Sequence, residues 1–380
     1  MEKTKLLIVS NHYLTFVKDQ VEIQSKYFDN ISTIVRYNPF IAKLCHRPLL
    51  DLANIPSEVQ VFTTPILYLP VDWQYKKLGE RQYAATEKAI RNNNLKFDLI
   101  HTHFTWSAGY VGARLKEKYG VPFVVTAHGY DIYSLPFKDD EWREKIRYVL
   151  NTADHIITVS QSNLACIKKL DISTPATVIP NGFRSDLFSP RDSLECRKML
   201  NLPQDKKIIL TVGNLEHVKG HKYLVEAIQN IIQERKDILC VIVGAGKLHT
   251  VLEHQIRSLG LTNYIMLAGG KPHDEIPLWM NACDLFVLPS LNEGNPTVMF
   301  EALGCGKPFV GTRVGGMPEV ITSGEFGLLV EPANPEDLTE NILMALNREW
   351  DREGIIQYAE RYTWENISTE IIDIYKDIME

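Results

Sequence analysis

Between residues 98 and 167 short apolar runs alternate with longer helical stretches, and no other feature restricts the fold so much. Asp98-Leu99-Ile100-His101 reads as a strand, 108–119 as a helix and 122–126 as a strand; a helix runs through Trp142 to Leu150, 156–160 is a strand, and another helix runs through Ile167. A helix between successive strands is the crossover that parallel neighbours require, so this segment predicts βαβ units in an open doubly wound sheet. Upstream, 6–10, 31–35 and 59–62 add strands, with a helix after Asn11 that carries Val21, Ile23, Tyr27 and Phe28. Pro180-Asn181-Gly182 interrupts the pattern, and a second series then begins, with strands at 208–212, 239–243, 265–267 and 284–288 and helices at 223–233, 248–259 and 276–281. A chain of 380 residues is too long for one ordinary core. The expectation is an α/β protein of two doubly wound, Rossmann-like domains facing across a cleft, 1–182 and 183–363. An amphipathic helix over 364–380 follows, with Ile367, Ile371, Ile374, Tyr375 and Ile378 on one stripe.

Ligands of such sheets sit beyond the carboxyl ends of strands, which directs attention to the loops there. The most informative is Pro289 to Pro308, which follows the strand at 284–288 and opens a helix. Asn295 is the expected N-cap and Pro296 the expected first helical residue. Gly294 has no Cβ to block a ligand, and Thr297 and Val298 offer amides that a first helical turn leaves unpaired, so the junction suits a phosphate. Glu293 and Glu301 flank that anion site, Glu301 lying roughly 7–8 Å beyond Pro296 along the axis at about 1.5 Å per residue. A carboxylate gains little from a phosphate but accepts two hydrogen bonds from vicinal hydroxyls, so each glutamate suits a sugar on either side of a diphosphate. Taken alone, they serve equally as a solvated loop residue and an exposed helix residue.

Other loops carry weaker signals. Gly213-Asn214 follows the first strand of the second series, and Lys219 nearby is a counter-ion for a diphosphate or an ordinary surface lysine at a helix start. Gly244-Ala245-Gly246 lacks the full dinucleotide fingerprint, and Gly269-Gly270-Lys271 offers backbone groups to a base edge or forms a plain turn. His103 and His128 both follow strands, so both are expected to face one cleft; His128 precedes Gly129-Tyr130-Asp131, and a structural histidine is the competing reading. The connection 37–55 is an acceptor loop or a packed excursion. Residues 67–77, with Tyr68, Trp73, Tyr75, Lys76 and Lys77, suit a membrane surface or an ordinary domain edge.

A hydrophobic content of 45% with 23% charged residues belongs to a globular chain, and the net charge of −6 argues against nucleic acid as a partner. The apolar run after Met1-Glu2-Lys3-Thr4-Lys5 is too short for a signal peptide or a span, which predicts a cytoplasmic protein. Six scattered cysteines (Cys45, Cys166, Cys196, Cys240, Cys283, Cys305) suit neither zinc nor disulfides and read as small core residues. No Asp-x-Asp pair occurs, so no metal is expected, and a diphosphate must be neutralised by lysine and helix ends.

Taken together, Glu293 and Glu301 with seven residues between them, Gly315-Gly316-Met317-Pro318-Glu319, Lys219-Gly220, His128-Gly129-Tyr130-Asp131 and Pro180-Asn181-Gly182 resemble glycosyltransferase family 4, the group 1 glycosyltransferases. These are retaining enzymes of the GT-B fold. The resemblance covers nearly the whole chain and is densest from 205 to 335. It implies that Glu301 holds the donor ribose and Glu293 the donor sugar. The amides of Asn295, Thr297 and Val298, with Lys219 and beside Gly213, Asn214 and Gly294, would hold the diphosphate. His128 would contact the sugar near the reacting carbon, the backbone at Gly270 and Lys271 would meet the base, and the terminal helix after Trp364 would cross back to the first domain. Catalytic roles would fall to His128, Lys219 and Glu293. The implied function is transfer of a sugar from a UDP- or GDP-sugar to a hydroxyl of a glycan or lipid-linked acceptor in cell-surface polysaccharide or glycoconjugate synthesis. It needs no cofactor and allows peripheral contact with the inner face of a membrane. A sugar-nucleotide epimerase of the same fold and a non-catalytic nucleotide-sugar-binding subunit are the alternatives. Two positions depart from the family: Asn214 stands where an arginine is usual, and Tyr13-Leu14-Thr15-Phe16-Val17-Lys18 lacks the usual paired glycines, with Lys18 a candidate compensating charge.

Overall fold

Thirteen strands in two parallel sheets account for the apolar runs of the described residues, 4–39, 50–69 and 71–380 of a computed structural model. Most of the connection 37–55, including Cys45, lies outside those residues. The chain divides into two compact units, Met1–Asn181 with Trp364–Glu380, and Gly182–Thr363.

The first unit holds β1 (Lys5–Ser10), β2 (Asn30–Tyr37), β3 (Val59–Pro65), β4 (Leu99–His103), β5 (Phe123–Ala127), β6 (His155–Thr158) and β7 (Ala176–Val178), in the order β3-β2-β1-β4-β5-β6-β7. Every pairing is parallel, and helices cover both faces, so central strands such as β4 and β5 are buried along their whole length. The predicted helix at 108–119 is present: the α-helix Tyr110–Tyr119 continues directly from a wider helical turn, Thr105–Gly109. Within that turn Trp106 alone is extended (φ −135, ψ 133); it lies edge-on to Trp142 at 5.3 Å and donates its indole N–H to the Tyr75 carbonyl at 2.9 Å. Asp139 caps the helix Asp140–Thr152 by accepting the Trp142 amide at 2.9 Å, a contact worth about 1 kcal/mol.

The C-terminal helix Trp364–Met379 belongs to this unit and buries Trp364, Ile367, Ile371, Ile374 and Tyr375. They complete a core cluster with Val17 and Val21 of the helix Thr15–Gln24 and with Phe28. Each large apolar side chain so buried contributes about 1.5–3 kcal/mol.

The second unit holds β8 (Lys207–Val212), β9 (Ile238–Val243), β10 (Ile265–Gly269), β11 (Leu285–Leu288), β12 (Phe309–Thr312) and β13 (Gly327–Val330), in the order β10-β9-β8-β11-β12-β13. Strands β12 and β13 extend the sheet beyond the strands read from the sequence. Alternate residues feed two cores: Ile208, Leu210, Phe286 and Leu288 enter one, and Ile209, Leu285 and Val287 the other. Cys196, Cys240, Cys283 and Cys305 are buried free thiols and Cys166 is half-buried; burial pushes the Cys240 thiol up to about 12. Among the described residues no helix is long and apolar enough to cross a membrane.

Candidate active site

In the second sheet the chain leaves the central strand β8 outward to β9 and β10, then returns to pair β11 on the other side of β8. Two loops therefore leave this switch point side by side, 213–220 after β8 and 289–296 after β11. They are tied directly, because the Leu291 amide donates to the Val218 carbonyl at 2.7 Å. Gly220 permits the approach: its φ is +65°, and a Cβ there would stand 1.9 Å from the Pro289 carbonyl oxygen. A third loop, after β12, braces the second one. Gly315 has φ +56° with the Glu293 carbonyl 2.0 Å from where a Cβ would be, and the Gly316 amide donates to the Gly294 carbonyl at 2.8 Å.

This scaffold brings Lys219 Nζ to 2.6 Å from Glu293 Oε1. The two residues that sequence reasoning gave to different parts of a donor thus hold each other here. Ser290, fully buried, donates its hydroxyl to the same Oε1 at 2.6 Å, and its carbonyl accepts the Thr312 hydroxyl at 2.5 Å. Neither Ser290 nor Thr312 carries a sequence signal beyond its place at a strand end. His221, next to Gly220, is pushed down to about 4 by burial and by Lys219, so it is neutral at pH 7.

The helix after the loop is Thr297–Gly304. Pro296 is its N-cap, not its first helical residue, and Asn295 lies one position outside. The ring fixes only φ, and Pro296 takes ψ 117, which is extended. Asn295 is buried, whereas Thr297 and Val298 are half-buried at the helix mouth. Glu301 is buried on the inner face, with Oε1 3.2 Å from Nε2 of His273, a residue that sequence reasoning missed. His273 sits in the turn after β10 with Phe188 5.3 Å from its ring. Gly270 is exposed beside it, and Lys271 points its ammonium at Glu275 (3.5 Å) and over the Trp279 ring (5.2 Å). Gly213 lies against the Lys219 stem, 3.8 Å from the position of a Cβ, and Asn214 is exposed with its carbonyl accepting the Glu216 amide at 2.8 Å. The candidate compensating charge of Lys18 is spent elsewhere: its ammonium meets Asp51 at 2.7 Å and Glu22 at 3.6 Å.

The first unit repeats the topological arrangement, with β1 and β4 as the strands on either side of the switch. His103 ends β4 and His128 follows β5; the register sets His103 opposite Thr126, two residues before His128. His103 Nδ1 lies 3.0 Å from His128 Nε2, with the rings stacked at 5.3 Å. Phe16 (4.6 Å) and Phe104 (4.8 Å) pack against the His128 ring. Asp131 anchors the loop: its buried carboxylate accepts the Gly129 amide at 2.8 Å and the Thr105 amide at 2.7 Å, joining the turns after β4 and β5. Burial raises the Asp131 pKa against the pull of those amides. Desolvation holds His103 and His128 well below the usual imidazole value, brings His101 to about 3 and, with Arg36, His12 to about 4. The group is neutral at pH 7. His128 Nδ1 has no partner among the described residues.

Residues 192–362 match the family described as Glycosyl transferases group 1, and residues 44–187 match Glycosyltransferase Family 4. An uncharacterized glycosyltransferase of Methanocaldococcus jannaschii is 31% identical over 285 residues, 74% of this chain and 76% of that one. This chain belongs to the group 1, family 4 glycosyltransferases. The D-inositol 3-phosphate glycosyltransferase of Corynebacterium diphtheriae is also similar to this glycosyltransferase, 28% identical and covering 86% of this chain and 82% of its own. Among solved structures, sucrose-phosphate synthase from Thermosynechococcus elongatus superposes with a TM-score of 0.81 at 21% identity over 99% of both chains. HepE of Anabaena, solved in complex with UDP-glucose, does so with a TM-score of 0.76 at 22% identity, covering 98% of this chain and 99% of its own. The two parallel sheets of this glycosyltransferase are thus those of the GT-B fold.

Proposed function

We propose that this glycosyltransferase moves a sugar from a nucleoside diphosphate sugar to a hydroxyl of a glycan or lipid-linked acceptor, with retained anomeric configuration and without a metal, in cell-surface polysaccharide or glycoconjugate synthesis. The observation that carries this reading is the convergence of Lys219, Glu293 and the helix mouth at Thr297 and Val298 on the β8/β11 switch point, with buried Glu301 one helix turn deeper. A cation and unpaired amides suit the diphosphate, and the two carboxylates suit hydroxyls on either side of it. Gly213, Asn214, Gly294 and Asn295 line the same loops, and the exposed backbone at Gly270 and Lys271 is suited to the base. A crystal structure of HepE with UDP-glucose supports testing UDP-sugars first.

In the proposed step the acceptor oxygen bonds to the anomeric carbon on the face from which the diphosphate leaves. The carbon–oxygen bond to the β-phosphate breaks, and the acceptor proton passes to that departing oxygen. Lys219 and the helix start stabilise the developing negative charge, an electrostatic contribution of the kind worth about 10²–10³ in rate. Exposed Leu67, Leu69, Val71 and Trp73 in one short stretch support peripheral membrane contact and a lipid-linked acceptor.

Transfer and hydrolysis measured with a panel of UDP-, GDP- and ADP-sugars test the assignment. Lys219→Ala and Glu301→Ala are expected to lower kcat/KM about 10²-fold or more with the active donor. Full activity in both variants would show that the donor site is elsewhere, and isomerised sugar formed without any acceptor would point to an epimerase.

A further inference from the structure

Glu293 has two donors on one oxygen. Lys219 Nζ and Ser290 Oγ each stand 2.6 Å from Oε1, and the Glu293 side chain is 10% exposed. The two donors differ in what holds them. The Lys219 side chain is 22% exposed, and its ammonium, on a flexible stem, can turn toward a stronger anion. Ser290 is fully buried at the end of β11, with its carbonyl held by Thr312, and cannot follow.

We propose that Ser290 is a positioning residue that keeps Glu293 aimed at the donor sugar while Lys219 is drawn away to the diphosphate. This deepens the donor-site reading above and rests on it. A diphosphate competes for Lys219 because it carries more negative charge than one carboxylate. When Lys219 swings away, Glu293 is left ionised in a largely buried place, which is unfavourable unless other donors reach it. The Ser290 hydroxyl remains on Oε1, and hydroxyls of the sugar supply the rest. A nucleoside diphosphate without its sugar takes the lysine and supplies nothing in return. The site therefore favours the complete nucleotide sugar over the nucleoside diphosphate, which is also the product that must leave. Ser290 matters more in the donor complex than in the free protein, where Lys219 also covers the carboxylate.

Calorimetric affinities of UDP against UDP-glucose, and of GDP against GDP-mannose, test this together with kcat. Ser290→Ala is expected to weaken the nucleotide sugar about tenfold, to move the nucleoside diphosphate less than about twofold, and to lower kcat, with Ser290→Thr restoring all three. A general loss of stability does not change the ratio of the two affinities. Should Ser290→Ala fail to fold, Glu293→Gln decides: it is expected to bind UDP or GDP more tightly, because Lys219 is released, while losing the gain that the sugar brings. An unchanged affinity ratio in Ser290→Ala, or weaker nucleoside diphosphate binding in Glu293→Gln, overturns the proposal. If Lys219→Ala and Glu301→Ala bind all four ligands as the unaltered protein does, the donor-site reading itself has failed.

Discussion

Lys219 and Glu293 stand 74 residues apart in the chain and share a hydrogen bond. Both are candidates from the sequence because each follows a strand, but their mutual pairing is not visible there, since nothing local connects the two loops. Glu301 shows the reverse. Its spacing from Glu293 was visible, whereas its burial and its contact with His273 depend on a turn from another strand. The histidines make a prediction at this scale. The folded pKa values of His12 (about 4) and His101 (about 3), with those of His103 and His128, lie below the unfolded value of 6.5. Below about pH 6.5 the unfolded chain therefore binds protons that the folded chain refuses, and stability falls as pH falls, by about 1.4 kcal/mol per pH unit for each proton. Above that pH the group contributes no slope, while Asp131, raised by burial, acts in the opposite sense. Urea midpoints should stay nearly level from pH 7.5 to about 6.5 and fall from there to pH 5, and His101→Gln should flatten that fall by one proton. A flat profile in the unaltered protein would mean that these rings are not buried neutral.

At the scale of elements, strands and helices follow from hydrophobic periodicity, with an error where a proline decided the boundary. Pro296 caps the helix that it was expected to begin. The loops are held by backbone contacts that only glycine allows, and Gly220 is the sharpest case. Gly220→Ala places a methyl against the Pro289 carbonyl in a left-handed conformation. It is expected to reduce stability by about 1–3 kcal/mol and to separate Lys219 from Glu293. Denaturation and donor titration check this together; a variant that binds donor normally would show that the two loops need not touch.

Across the whole molecule, the stretch Leu67, Leu69, Val71 and Trp73 is apolar, exposed and next to Lys77, whose ammonium lies 5.6 Å from the Trp73 ring centroid. Lys76 is already neutralised by Asp72, Asp139 and Glu141, so in the proposed membrane contact apolar insertion and not charge should dominate. Co-sedimentation with phosphatidylglycerol-containing vesicles is expected to survive moderate salt and to be lost in a Leu69→Ala, Trp73→Ala double variant that stays folded. Equal sedimentation of that variant would remove this surface from the mechanism.

The amino-acid sequence by itself determined the two series of βαβ units, the break near Gly182 and the candidate residues after each strand. Those are properties of short windows: periodicity, caps and the preference of glycine for tight turns. Only the tertiary structure decided the strand order, and hence that β8 and β11 are neighbours whose loops meet. That step joins segments far apart in the chain through backbone hydrogen bonds, which carry no residue-specific mark in the sequence. The pairing of Lys219 with Glu293, the support from Ser290 and the contact of His273 with Glu301 all follow from it.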